Sequence, residues 1–152
     1  MNDLSIDLKL LVHHLESLVH QHSKYVKRCR FLVKGLKKGT ITVDEIDTPL
    51  RKLIKTSRRI EKILQKVAKV LESDITIDPD ISERLKLLTF YIIEVSINEE
   101  GEVWQLMSRI DFNAMGYDLS NIKMFDSENH MKRIDNIKSL ALKINSVTYL
   151  IE

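Results

Sequence analysis

Glycine, proline and cysteine are scarce in this chain. Its 152 residues include four glycines, two prolines and one cysteine. So few glycines and prolines exclude a loop-rich fold and favour long, uninterrupted secondary structure. The single cysteine, Cys29, cannot form an internal disulfide and is expected to be a buried thiol. A reducing, cytoplasmic setting is therefore expected.

Long hydrophobic runs, targeting signals and catalytic motifs are also missing. No uncharged apolar stretch reaches about 18 residues, so no membrane span and no membrane partner are predicted. The N-terminus, Met-Asn-Asp-Leu-Ser, lacks the features of a secretory signal. The sequence contains no phosphate-binding glycine loop, nucleophile elbow or zinc signature. We therefore expect a protein that is not an enzyme and has no cofactor and no metal.

What the chain has in abundance is helical periodicity, which is strongest over residues 4–36. Apolar or semi-apolar residues recur there at alternating steps of four and three, and a row of valines follows beside them at steps of seven. This stripe predicts a long helix that packs against two neighbours and ends at Gly39. Its members are Leu4, Leu8, Leu11, Leu15, Leu18, His22, Tyr25, Cys29, Leu32 and Leu36, with Val12, Val19, Val26 and Val33.

A second helix with the same spacing is predicted over residues 49–72. Thr48 followed by Pro49 is typical of an N-cap and a first helical residue. Before it, Thr42-Val-Asp-Glu45 is a capping-box pattern, which we expect to start a short separate turn. A short connector between two long helices predicts an antiparallel hairpin over residues 4–72.

The C-terminal part, residues 79–152, predicts further helices over 79–97, 98–115 and 127–148, with loops at 73–79 and 117–126. The helix over 79–97 is expected to be apolar nearly all round and therefore central. The helix over 98–115, capped by Asn98, is expected to bury Val103, Met107, Ile110 and Ala114. A β-hairpin near 89–112 is the minority alternative, because strand-forming residues are frequent there. The predicted fold is a single all-α domain over 1–152, a bundle of four to five helices.

His22 is the one polar residue in the stripe. A polar seam residue can fix register or oligomeric state, and charging of its ring below about pH 6 would weaken the packing. Ser57, the polar seam residue of the second helix, is a candidate partner. The favoured alternative is a packed ring whose nitrogens reach a backbone carbonyl or water.

Three other residues with metal-binding side chains share a helix face. His13, Glu16 and His20 have the spacing of metal ligands on a helix. A metal site between bundle helices also needs carboxylates from a facing helix, and the second helix offers none in its seam. We therefore prefer an exposed polar face to a metal site.

Positive charge is concentrated between Lys24 and Lys69. That segment has fifteen basic residues against four acidic ones, whereas the chain from Val70 onward has eight against fifteen. The outer face of the second helix is thus cationic and would attract phosphates, although such faces are often only solubilising, and the acidic half is another candidate partner. The candidate polyanion-binding residues are Lys27, Arg30, Lys34, Arg51, Lys55, Arg58, Arg59, Lys62, Lys66 and Lys69.

Two functions are compatible with these features. The first is a non-enzymatic interaction or assembly protein that acts as an oligomer, and the second is a nucleic-acid-binding protein that uses the basic face of residues 24–69. A homodimer is predicted because the first helix, about 50 Å long, overhangs the second, about 36 Å long. The overhang, with Leu4, Leu8 and Leu11, must be covered by the C-terminal helices or by another chain.

Overall fold

The computed structural model of the chain describes residues 3–73, 76–117 and 126–151. No strand occurs among these residues, so the all-α prediction is confirmed and the alternative β-hairpin near 89–112 is wrong. Residues 74–75 and 118–125, which belong to predicted loops, lie outside the described residues. The helices are α1 (Asp3–Lys38), α2 (Val43–Leu71), α3 (Pro79–Tyr91), α4 (Ile97–Ser108) and α5 (Ser127–Ile151), with a π-helical turn (Ile92–Ser96) between α3 and α4.

The apolar stripe of α1 is buried along its described length, as predicted. Leu11 and Tyr25 lie half-buried at its edges, and His22 is buried within it. The burial of Leu4 lies outside the described side chains. Because a fully buried leucine contributes about 1.5–3 kcal/mol relative to an exposed one, this stripe accounts for much of the stability of α1.

The end of α1 is fixed by Gly39, as the sequence predicts. Gly39 has a φ of 77° and donates its N–H to the Leu36 carbonyl at 3.1 Å. Thr40 donates to the Gly35 carbonyl at 2.9 Å. These two bonds form the usual glycine-dependent helix end, which turns the chain toward α2.

The start of α2 differs from the prediction. The helix begins at Val43 and not at Pro49, so the predicted separate turn is its first turn. Thr42 and Glu45 form a capping box, in which the Thr42 N–H donates to the Glu45 carboxylate at 3.4 Å. Burial of Val43 and Ile46 adds to the stabilisation that this cap provides. Together they outweigh the cost of Pro49, which has no N–H to bond the carbonyl four residues before it.

The chain from Pro79 to Ser108 is one continuous helix, which corrects the predicted break at Asn98. The Ile97 N–H donates to the Ile92 carbonyl, and this five-residue step is the π-helical turn that joins α3 to α4. Asn98 does not cap a new helix, because its side-chain amide donates back to the Glu94 carbonyl at 2.9 Å.

The burial predicted for this continuous helix is partly wrong. Leu87 and Phe90 are 62% and 60% exposed, so the apolar side chains of α3 are not buried on all of its faces. The helix ends at Ser108 and not at Met115, and turns follow as far as Gly116. Ala114 lies in these turns and is exposed, whereas Val103, Met107 and Ile110 are buried as predicted.

Four long helices, with α3 and α4 counted as one, surround a common core. α1 packs against α2 and against α3–α4, and α5 packs against α2 and against α3–α4. Glu16 and Arg30 of α1 meet Arg84 and Glu102 respectively, so α1 runs parallel to α3–α4. Ser57 of α2 meets Arg133 of α5.

The remaining contacts complete an up-down-up-down bundle. Ser57 of α2 bonds to Arg133 of α5, and Glu72 bonds to Lys143. Both contacts advance in the same direction along the two helices, so α2 and α5 are parallel. The four helices are therefore arranged in the cyclic order α1, α2, α5, α3–α4. α2 and α3–α4 therefore lie diagonally opposite each other in the bundle.

The predicted overhang of α1 is smaller than the sequence suggests. With 36 residues in α1 and 29 in α2, the lengths are about 54 and 44 Å. Leu8 is 1% exposed and Leu11 is half-buried, so both are covered within the chain. Among the described helices, none is long and apolar enough to cross a membrane.

Candidate functional site: a basic groove backed by a buried polar network

A groove of about 580 Å³ runs along the outer surface of α2. All of its charged lining residues are basic, and they come from three successive turns of α2, while His130 of α5 closes one side. The lining residues are Arg51, Ile54, Lys55, Arg58, Arg59, Lys62 and His130. We call this feature the basic groove.

Among the described residues, most cations of the basic groove form no ion pair. Arg51 bonds to Asp47 at 3.0 Å, with both side chains exposed. Within the described part of the chain, the other four cations, Lys55, Arg58, Arg59 and Lys62, form no ion pair and are exposed. A concave surface with one sign of charge focuses its field, so the groove strongly attracts anions.

The ten predicted polyanion-binding residues do not form one surface. Five of them line the basic groove, whereas Lys66 and Lys69 line a second groove of about 640 Å³ beside the N-terminal part of α1. Arg30 faces α4, where it lies 3.4 Å from Glu102 and 3.8 Å from Glu99. Lys27 and Lys34 are exposed on the same side of α1 as Arg30, three residues before and four after it.

Behind the basic groove, α1, α2, α4 and α5 contribute to a buried polar network centred on Glu100. Glu100 is 1% exposed. One carboxylate oxygen lies 2.7 Å from Nε2 of His22, and the other accepts from Nε1 of Trp104 at 2.8 Å and from Nη2 of Arg133 at 2.9 Å. Such charge-assisted bonds are the form in which a buried carboxylate is tolerated in a core.

Arg133 connects this network to α2 and to the basic groove. Its Nε donates to the Ser57 hydroxyl at 2.9 Å, and its Nη1 lies 3.0 Å from Nδ1 of His130. The His130 ring is 4% exposed and stacks on Trp104, with ring centroids 3.8 Å apart. Arginine can only donate, so Nδ1 of His130 is an acceptor and a neutral ring carries its proton on Nε2.

The environment of His22 differs from the one predicted. The partner of its Nε2 is Glu100, and Ser57, the candidate partner, accepts from Arg133 instead. Within the described part of the chain, Nδ1 of His22 is buried without a hydrogen-bond partner. Because the Glu100 carboxylate can only accept, Nε2 of His22 is the donor in this bond.

The network controls the ionisation of two buried groups. Burial alone would raise the pKa of Glu100, but the bond and charge of His22, the charge of Arg133 and the Trp104 bond lower it to about 2. Burial, and then the negative charge of Glu100, raises the pKa of the Cys29 thiol to about 12. Glu100 is therefore ionised and Cys29 is an unreactive thiol at neutral pH.

Of the three α1 residues with the spacing of metal ligands, Glu16 contacts another helix. Glu16 binds Arg84 of α3, while His13 and His20 are exposed. In the described ranges, no group of three or more histidine, cysteine, aspartate or glutamate side chains is placed to hold a metal ion.

Sequence reasoning missed four members of the network, namely Glu100, Trp104, His130 and Arg133. The sequence places Glu100 in the first turn of a helix expected to start at Asn98, but the π-helical turn carries the helix through that point, and Glu100 is buried. The available signal was spacing, since Glu100 and Trp104 are four apart and His130 and Arg133 three apart.

Comparisons with protein-family models, curated proteins and solved structures find no match to this chain.

Proposed function

We propose that this chain is a non-enzymatic protein that binds duplex nucleic acid through the exposed face of α2. The observation that carries the proposal is the density of uncompensated positive charge on that face. Eight basic residues of α2 are exposed, and within the described ranges only Arg51 has an acidic partner. They are Arg51, Lys52, Lys55, Arg58, Arg59, Lys62, Lys66 and Lys69.

The dimensions and composition of this face favour a duplex over a single strand. From Arg51 to Lys69 the helix rises about 27 Å, which corresponds to about eight base pairs along a duplex axis. Single-strand binding relies on aromatic side chains that stack on bases. The lining of the basic groove contains no phenylalanine, tyrosine or tryptophan, and the exposed Phe31 lies on α1.

Fluorescence anisotropy with a labelled 20-base-pair duplex tests the proposal. If about five phosphates are neutralised, the affinity should fall by about two to three orders of magnitude between about 50 and 200 mM salt. The variant K55E/K62E should bind at least about tenfold more weakly. Absence of binding at low salt would exclude this function.

A matched control distinguishes binding by the α2 face from an effect of net charge alone. Lys9 of α1 and Lys138 of α5 are exposed and lie outside the basic groove, so K9E/K138E changes the net charge equally. This control should retain most of the affinity. An equal loss in both double variants would mean that binding depends on overall charge and not on α2.

A second candidate function is assembly of the chain as a homodimer. It is favoured by three neighbouring apolar side chains on α3, because exposed apolar residues on one helix face mark interaction surfaces. Leu87, Phe90 and Tyr91 are 62%, 60% and 37% exposed and lie one helical turn apart. We propose that a second copy of the chain covers them.

Light scattering coupled to gel filtration tests the dimer. The wild-type chain should have twice its monomer mass of 17.7 kDa at micromolar concentration, and L87N/F90S should be monomeric. The control L10N/F31S replaces equally exposed residues of the same types on α1 and should remain dimeric. A wild-type monomer would exclude this proposal.

We also propose a cytoplasmic location. The single cysteine, Cys29, is buried as a free thiol, which suits a reducing compartment.

A further inference from the structure

The cations of the basic groove lie closer together than binding along a duplex backbone requires. Lys55, Arg58, Arg59 and Lys62 lie within about two turns of α2 and line one concavity of about 580 Å³. Phosphates along a duplex backbone are contacted one at a time by well-separated side chains. Four cations without ion pairs around one concavity instead match a ligand whose negative charges are close together.

We propose that the basic groove binds a diphosphate group, that is, two directly linked phosphates. This inference depends on the proposed function, because it takes the α2 face to be a phosphate-binding surface. One phosphate group carries about −1.5 to −2 charges at neutral pH, and two linked phosphates carry more, so a diphosphate suits four unpaired cations better than a single phosphate does. Arg58 and Arg59 can each bind two phosphate oxygens at once, and lysines 55 and 62 add single charges on either side.

His130 gives the groove a fixed polar wall. The ring lines the groove although it is 4% exposed, and it is held by Arg133 on one nitrogen and by stacking on Trp104. A wall held in this way does not have to be ordered when a ligand binds, which lowers the entropic cost of binding. This feature distinguishes the groove from a flat surface of mobile lysines.

Trp104 makes the occupancy of the groove measurable. It is the only tryptophan of the chain, it is fully buried, and it stacks on the His130 ring that lines the groove. A negatively charged ligand in the basic groove would change the electric field at that fixed ring and at Trp104 stacked on it, without touching Trp104. Intrinsic fluorescence therefore reports binding in this groove, and calorimetry reports affinity and stoichiometry for the whole chain.

The test titrates the full-length chain with pyrophosphate, orthophosphate and sulfate at one ionic strength. We expect one pyrophosphate per chain, a change in Trp104 emission, and an affinity at least about tenfold higher than for orthophosphate or sulfate. Pyrophosphate that binds no more tightly than these two anions would overturn the proposal. So would binding that leaves the Trp104 emission unchanged.

Paired variants locate the site. R58Q/K62Q should lose at least about tenfold in pyrophosphate affinity, whereas K9Q/K138Q should retain it. Circular dichroism checks that each variant keeps its helical content; because all four side chains are exposed, folding should be unaffected. Equal losses in the two variants would show that pyrophosphate senses overall charge, which would also overturn the proposal.

Two further arms identify the source of the diphosphate and separate this inference from the proposed function. A nucleoside diphosphate that binds more tightly than pyrophosphate points to a nucleotide ligand, and equal affinities point to the diphosphate alone; either result supports the site.

Competition between pyrophosphate and the labelled duplex tests whether the two ligands share the basic groove. Duplex binding that pyrophosphate does not displace beyond matched sulfate would reject the diphosphate site while the proposed function stands. Failure of both ligands to bind would reject both.

Discussion

Nε2 of His22 lies 2.7 Å from a carboxylate oxygen of Glu100, a residue 78 positions later in the chain. Both side chains are almost completely buried, at 2% and 1% exposure. This bond joins α1 to α4, and Arg133 extends the same network to α5 and α2. Because the bonds of Glu100 to His22 and Arg133, and of Arg133 to Ser57, each join different helices, the network favours one alignment of the bundle.

Replacing Glu100 should destabilise the chain strongly. E100Q removes the charge that compensates buried Arg133, and the loss of one partner of a buried ion pair costs about 3–5 kcal/mol. The free energy of unfolding in urea measures the effect. The neighbouring E99Q is the control: its side chain is 27% exposed and 3.8 Å from Arg30, so it should cost less than about 1 kcal/mol. Similar losses in both variants would contradict a central role for Glu100.

The low pKa of Glu100 predicts a specific loss of stability in acid. The pKa is lowered from 4.5 to about 2 in the folded chain, so the stability that it provides is complete above about pH 4.5 and disappears as the pH falls to about 2. The expected loss is about 3 kcal/mol. Urea unfolding at several pH values in this range measures the slope, and E100Q should show a shallower one. Parallel curves for the two proteins would exclude this contribution.

The position of the α2 N-cap is tested by two threonines. T42A removes half of the capping box and should lower the free energy of unfolding by about 1 kcal/mol. Thr48, the N-cap expected from the sequence, is exposed within the helix, so T48A should be neutral or stabilising by up to about 0.5 kcal/mol. The opposite order would place the start of α2 at Pro49.

Cys29 should resist modification while the chain is folded. The thiol is 0% exposed, and burial together with the charge of Glu100 raises its pKa to about 12. A thiol reagent at pH 8 should therefore label it only as fast as the bundle opens, and at once in urea. E100Q should label faster, since it removes a negative charge and weakens the bundle. Rapid labelling of the native wild-type chain would contradict this burial.

Much of the helical fold could be read from local signals. The stripe of α1 and its end at Gly39 were predicted correctly, because apolar periodicity and a glycine C′ residue act over a few neighbouring residues. Errors arose where two local signals competed. Pro49 resembled a helix start and Asn98 a cap, yet burial of Val43 and Ile46 and the π-helical turn carried the helices through both places.

The apolar and cationic faces of α1 and α2 follow from the sequence alone, because each helix carries its pattern within its own spacing. The pairing of His22 with Glu100, and the position of Arg133 and His130 behind the basic groove, result from the packing of the helices. The tertiary structure also separated Lys27, Arg30 and Lys34, on the side of α4, from the basic groove of α2. These relationships depend on the rotation and register of helices distant in the chain, which no local spacing specifies.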